Sequence, residues 1–270
     1  MFLMTQDIKT LHQQAQTALN QGEYQQAHQF LIAILQQDKY FADAYFLMAM
    51  ITSAHERIDK TIQLIEQAHK LAPDNTEYLA HLAKHFAIKN DHIQAVKYAD
   101  LAAKGLSASA LSLDTIAVAY SKIGLHQRAI PFFKQAVKLK PENPMFHYNL
   151  AISQTFVGDF GDARCSHEKV IKLVPDYCKS YVALSSLGGV TKDNNNIERL
   201  TELYQRITDA DDKLNIGHAL AREYEALKEY DRAFEYLNAA KQSKLQEINY
   251  KFTEDQQMFD GLQRAFTASD

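Results

Sequence analysis

Residues 110–143 read ALSLDTIAVAYSKIGLHQRAIPFFKQAVKLKPEN, and residues 144–177 read PMFHYNLAISQTFVGDFGDARCSHEKVIKLVPDY. Set one above the other, Ala117 meets Ala151, Gly124 meets Gly158, Ala129 meets Ala163 and Pro141 meets Pro175. The same interval runs outward along the chain. Ala15, Ala49, Ala83, Ala117 and Ala151 form one series; Ala27, Thr61, Ala95, Ala129 and Ala163 form a second. Ile34, Ala68, Ala102, Ala136 and Val170 form a third. A fourth is Pro73, Pro141 and Pro175, with Ser107 at the slot between the first two. Four series in one register, 34 residues apart, describe a helix–turn–helix unit repeated in tandem.

With Pro141 as slot 32, the repeats fall at 8–41, 42–75, 76–109, 110–143, 144–177 and 178–211, and a seventh at 214–247 follows two extra residues. Small residues at slots 8, 20 and 27 let paired helices approach closely. Large residues such as Leu113, Ile116, Tyr120 and Phe133 fill the space between repeats. Gly124 and Gly158 sit at the turn from the first helix (A) to the second (B), where a left-handed residue ends a helix. Proline at slot 32 follows helix B, where it breaks no internal hydrogen bond. The sixth repeat departs from the pattern: Gly188-Gly189 interrupts helix A, and Asp193-Asn194-Asn195-Asn196 follows. Helix A is expected to end early there, with a longer loop. A last helix is expected over 253–266, started by a capping box of Thr253 and Gln256 and serving as a polar cap on the solenoid. Met1–Asp7 is too short to cap the other end.

Composition bounds the function classes. The chain has 270 residues, 9 Gly, 5 Pro and a net charge of −4, which suits a nearly all-helical protein without the basic footprint of a nucleic-acid binder. No apolar run reaches the length of a membrane span. Met1-Phe2-Leu3-Met4 is too short for a signal peptide, so the cytoplasm is the expected compartment. Cys165 and Cys178 do not make a disulfide framework. Glycine-rich phosphate loops, H-E-x-x-H, C-x-x-C and G-x-S-x-G are all missing, so no enzyme activity and no cofactor is expected. His81 and His85, one helical turn apart, are the best metal-ligand pair, but two ligands rarely suffice.

The A helices of a solenoid line its concave face, the usual binding surface. Slots 2, 5, 6, 9, 12 and 13 point that way. They carry Phe46, Met50, His81, Lys84, Asp114, Val118, Tyr148, Asn149 and Ile152, together with Leu111, Met145 and Phe156. Apolar side chains at positions that would otherwise face solvent mark an interaction site. The floor of a peptide-binding groove is therefore expected here, with Asn149 and Lys84 bonding a peptide backbone or carboxylate.

Across 8–247 the chain resembles tetratricopeptide-repeat (TPR) proteins. The resemblance implies a right-handed all-α superhelical solenoid of about seven repeats plus a capping helix, in a single domain, with a protein or peptide as partner. The lysine, arginine and asparagine clamp by which some family members hold acidic tails is broken here: Asn149 and Lys179 match, whereas Asp114, Val118 and Ala183 do not. An asparagine ladder at slot 6 is likewise reduced to Asn149. Within 216–266, Ile216–Glu225, Tyr230–Phe234, Leu237–Lys241 and Phe259–Phe266 resemble the repeat region of bacterial TPR-sulfotransferases. That resemblance implies a catalytic domain beyond Asp270, with this chain as its substrate-recruiting part. A third expectation is self-association through an apolar edge.

Overall fold

A computed structural model describes residues 7–105 and 109–267; Met1-Phe2-Leu3-Met4 and the Ser107 slot lie outside them. The described residues form fifteen α-helices and no strand, with a single isolated bridge between Thr191 and Asn194. Helices A and B alternate as α1 (Ile8–Asn20) and α2 (Tyr24–Gln37), α3 (Ala42–Ala54) and α4 (Ile58–Leu71), α5 (Thr76–Ile88) and α6 (His92–Ala102), α7 (Ala110–Lys122) and α8 (His126–Leu139). The series continues with α9 (Pro144–Phe156) and α10 (Phe160–Leu173), α11 (Cys178–Ser186) and α12 (Ile197–Arg206), α13 (Ala210–Ala226) and α14 (Tyr230–Glu247), and ends in α15 (Phe252–Thr267). This is the architecture the period predicts. The chain forms two compact units, Met1–Ser166 and His167–Asp270.

The small-residue series explains the close pairing. Every member of the three series at slots 8, 20 and 27 that begin at Ala15, Ala27 and Ile34 is fully buried. Thr61 tolerates that burial because its hydroxyl donates to the Arg57 carbonyl at 3.0 Å and meets Thr52 at 2.9 Å. In the first unit α5 and α7 pack against each other more closely than the other neighbouring A helices. The small α5 residues Ala80, Ala83 and Ala87 and the short α6 permit that approach.

Local signals set the helix ends. Asn75, Ser109 and Asn143 occupy one slot in three successive repeats, and each side chain accepts a backbone N–H of the helix it starts. Such a cap contributes about 1 kcal/mol. In every repeat but the sixth the A-to-B turn places a left-handed residue at the same slot: Gly22 (φ 76°), Glu56 (57°), Asn90 (64°), Gly124 (80°), Gly158 (86°) and Lys228 (64°). At Gly124 the N–H donates to the Ser121 carbonyl, and the next N–H, of Leu125, to that of Tyr120, the double bond that closes a helix around a left-handed residue. Glycine is read from sequence at two of these turns; Glu56, Asn90 and Lys228 adopt the same conformation because the packed helices dictate it.

In the second unit Tyr181, Leu184, Leu200, Leu203, Ile216 and Leu220 form the core. Helix α11 stops after nine residues, as the glycine pair predicts, and Gly188 and Gly189 both have positive φ (71° and 73°). The loop that follows is tied by its asparagines: Asn195 donates to the carbonyls of Thr191 and Lys192 at 3.1 and 2.9 Å. The start of α12 is capped from another helix. The buried carboxylate of Glu223, on α13, accepts the backbone N–H of Asn196 at 3.1 Å.

Two expectations fail at the C-terminal end. Helix α15 starts at Phe252, so Thr253 lies inside the helix rather than at its cap, and the chain turns through left-handed Asn249 (φ 50°) instead. Nor does α15 act as a polar cap: none of its described side chains is buried, and Phe252, Phe259 and Phe266 are exposed. The apolar residues that a cap would turn inward point to solvent here.

Candidate functional site

The A helices α3, α5, α7 and α9 of the first unit carry all nine residues singled out from sequence. Their environments differ. Phe46 is buried, not presented to solvent: its ring lies 4.8 Å from Tyr78 and meets His81 edge-on at 5.1 Å. Neighbouring A helices come close enough for the α5 side chains to cover this slot of α3. Met50 is half-buried and packs on the same core. Phe46 and Met50 therefore support the floor and do not form its surface.

Toward α7 and α9 the face opens. Val118, Tyr148 and Ile152 are half-buried, and Leu111, Met145 and Phe156 are exposed beside them. Phe156 stacks flat on His126, with ring centroids 4.3 Å apart. Apolar side chains thus reach the surface on these two helices.

A polar row crosses the patch. Asn149 donates its side-chain amide to both oxygens of the buried Asp114 carboxyl, at 3.0 and 3.3 Å. Burial pushes that carboxyl up to about 6, although Asn149 and Lys84 pull it down. Lys84 is half-buried, and among the described residues it makes neither a hydrogen bond nor an ion pair. Burial lowers its amine pKa; Asp114 opposes that shift and Lys122 adds to it. One turn before it, His81 is held neutral, its pKa lowered to about 3 by burial, then by Lys84 and His85. Its Nδ1 is buried without a partner. The row therefore offers an unpaired cation beside a carboxyl that is protonated more readily than usual, while the His81 nitrogen is sealed beneath it. Unpaired buried polar groups are costly in isolation and are relieved by a ligand that bonds them.

The histidine pair does not form a metal site. His81 and His85 stack at 5.9 Å, but His85 is buried with both nitrogens engaged. Nδ1–H donates to the His81 carbonyl at 2.7 Å, and Nε2 accepts from the Ser53 hydroxyl at 2.9 Å. Ser121 and Ser153, two repeats further on, form the equivalent contact at 3.3 Å. Among the described residues no three metal-ligating side chains cluster.

Sequence reading missed one network. The Tyr78 hydroxyl donates to Asp43 at 3.0 Å, and the other Asp43 oxygen is bonded to His12. Burial and the Asp43 charge raise the Glu77 carboxyl. His12, Asp43 and Glu77 lie in inward slots, but Tyr78 does not. Its signal is the 35-residue separation from Asp43, which recurs between Asp114 and Asn149.

Comparison with known proteins agrees with this geometry. Residues 110–143 match the family model of the tetratricopeptide repeat. That segment is a tetratricopeptide repeat. The tetratricopeptide-repeat fold extends over most of the chain in solved structures. The structure described as a functional characterization of pilF from Pseudomonas aeruginosa superposes with a TM-score of 0.58 at 16% identity, covering 83% of this chain and 95% of its own. PilW, a widely conserved type IV pilus biogenesis factor, gives 0.58 at 20% identity, covering 91% and 96%. A chain of the APC/C hetero-tetramer Cut9–Hcn1 gives 0.61 at 14% identity, covering 88% of this chain and 44% of its own. At these identities the likeness is one of fold. A comparison with curated proteins gives no match.

Proposed function

We propose that the chain is a non-catalytic binding scaffold that captures a peptide or protein segment on the A-helix face of its first unit. The observation that carries this reading is Lys84: a half-buried ammonium without a partner, set beside Asp114, Asn149 and an apolar patch. Val118, Tyr148 and Ile152 would receive apolar side chains. Lys84 would donate to a carbonyl or carboxylate, and the Asp114–Asn149 pair would take the ligand's other polar groups. The mixed donors and acceptors suit a peptide backbone, and the absence of the family's acidic-tail clamp argues against a purely anionic tail.

The test is a random-peptide display selection on the immobilised chain, followed by affinities for the selected peptides. Tyr148→Ala, Ile152→Ala and Lys84→Met should each weaken binding by more than about 1 kcal/mol, the level that marks a hot spot. Selected peptides that bind all three variants unchanged would refute the site. A second reading, recruitment of substrate for a sulfotransferase domain, rests on the resemblance within 216–266. It requires a sulfate-donor loop in the gene shortly after the codon for Asp270.

A further inference from the structure

The C-terminal end of the second unit exposes large apolar side chains more densely than the rest of the described residues. Of the eighteen exposed large apolar side chains among the described residues, nine fall within residues 230–266. Six of them form two stripes. Tyr230 and Phe234 lie on the outer side of α14, and Lys241 continues that line two turns further on. Phe252, Phe259, Leu262 and Phe266 follow one another at intervals of seven, three and four along α15, the spacing of a seam between helices. Helix α15 does not cover the stripe on its own α14: Tyr230 and Phe234 remain 63% and 68% exposed, and α15 buries nothing.

We infer that these stripes form the contact between two copies of this chain, α15 of each copy lying on α14 of the other. Three observations point to a second copy. Both surfaces sit at the same end of one chain, so a two-fold axis satisfies both at once, as in an isologous dimer. The area is right: the six stripe side chains, each offering on the order of 150 Å², give roughly 900 Å², against about 800 Å² per partner in a stable interface. The charges are complementary. Lys241 lies within the α14 stripe and Asp255 within the α15 stripe, between Leu262 and Phe266, and among the described residues neither has an ion pair. The remaining polar face of α15 carries Glu254 and Asp260 with one Arg264, which disfavours a lipid surface. This inference does not depend on the peptide-binding reading, which concerns the other unit.

The test is sedimentation velocity of the 270-residue chain across a wide concentration range, with Phe234→Glu and Phe259→Glu measured alongside. The wild type should be a dimer and both variants monomers, with circular dichroism unchanged because both side chains are solvent-exposed. If a glutamate variant loses helix, Phe234→Ser or Phe259→Ser takes its place. A wild type that stays monomeric overturns the inference. So does a dimer that survives either substitution, since the exchange needs both stripes.

Discussion

Asp114→Asn tests the electrostatics of the site directly. In the folded chain the Asp114 carboxyl is raised from 3.8 to about 6, chiefly by burial, even with Asn149 and Lys84 pulling it down. Between those two values the folded state holds a proton that the unfolded chain has released. Folding stability therefore falls as pH rises through that window, and the full penalty is present above about 6. A shift of about two units at 1.36 kcal/mol each amounts to about 3 kcal/mol. Asparagine has the same shape and no proton to lose, and its carbonyl oxygen can still accept from Asn149. Urea unfolding of both proteins should give similar stability near about pH 4, where Asp114 is largely protonated. The variant should then gain progressively, reaching about 3 kcal/mol above the parent near about pH 7. Histidines that charge in the unfolded state affect both proteins alike, so the difference isolates Asp114. Two parallel pH–stability curves would refute the claim that burial holds this carboxyl up.

Two further predictions concern backbone and packing. Glu56→Gly relieves roughly 1–2 kcal/mol of left-handed strain against roughly 0.5–1 kcal/mol of added unfolded-state freedom, so a net gain of about 1 kcal/mol is expected by chemical denaturation. Gly124→Ala should cost a similar amount through φ alone, since its Cβ would meet nothing within 4 Å; two neutral results would contradict the shared turn geometry. Gly217→Ala drives a Cβ into that of Ala240, forcing α13 and α14 apart at a cost of about 1–3 kcal/mol. Gly161→Ala, in open space on α10, should instead stabilise by up to about 1 kcal/mol, and equal thermal shifts for the two would refute the close contact.

Much of this was legible in the sequence, for identifiable reasons. A 34-residue period fixes helix order and the buried small residues, because each repeat packs on its neighbours and shares their geometry. The interruption at Gly188-Gly189 was equally plain. Phe46 was misplaced because slot position gives the direction of a side chain but not the size of what faces it; Tyr78 and His81 close over that ring. Asp114 and Asn149 looked like independent groove residues and are one hydrogen-bonded pair, since their contact depends on the separation of α7 and α9. Its last place in the solenoid predicts a polar cap for α15, a rule of position that its three phenylalanines contradict.

The capping of α12 by Glu223 has a consequence for biosynthesis. A ribosome delivers Asn196 well before Glu223, and until that carboxylate emerges the first turn of α12 lacks the acceptor that closes it. The sixth repeat is thus completed by a residue of the seventh, and the two should fold as one cooperative step late in translation. A nascent chain halted between them would expose α12 to proteases, whereas the first unit could already be folded.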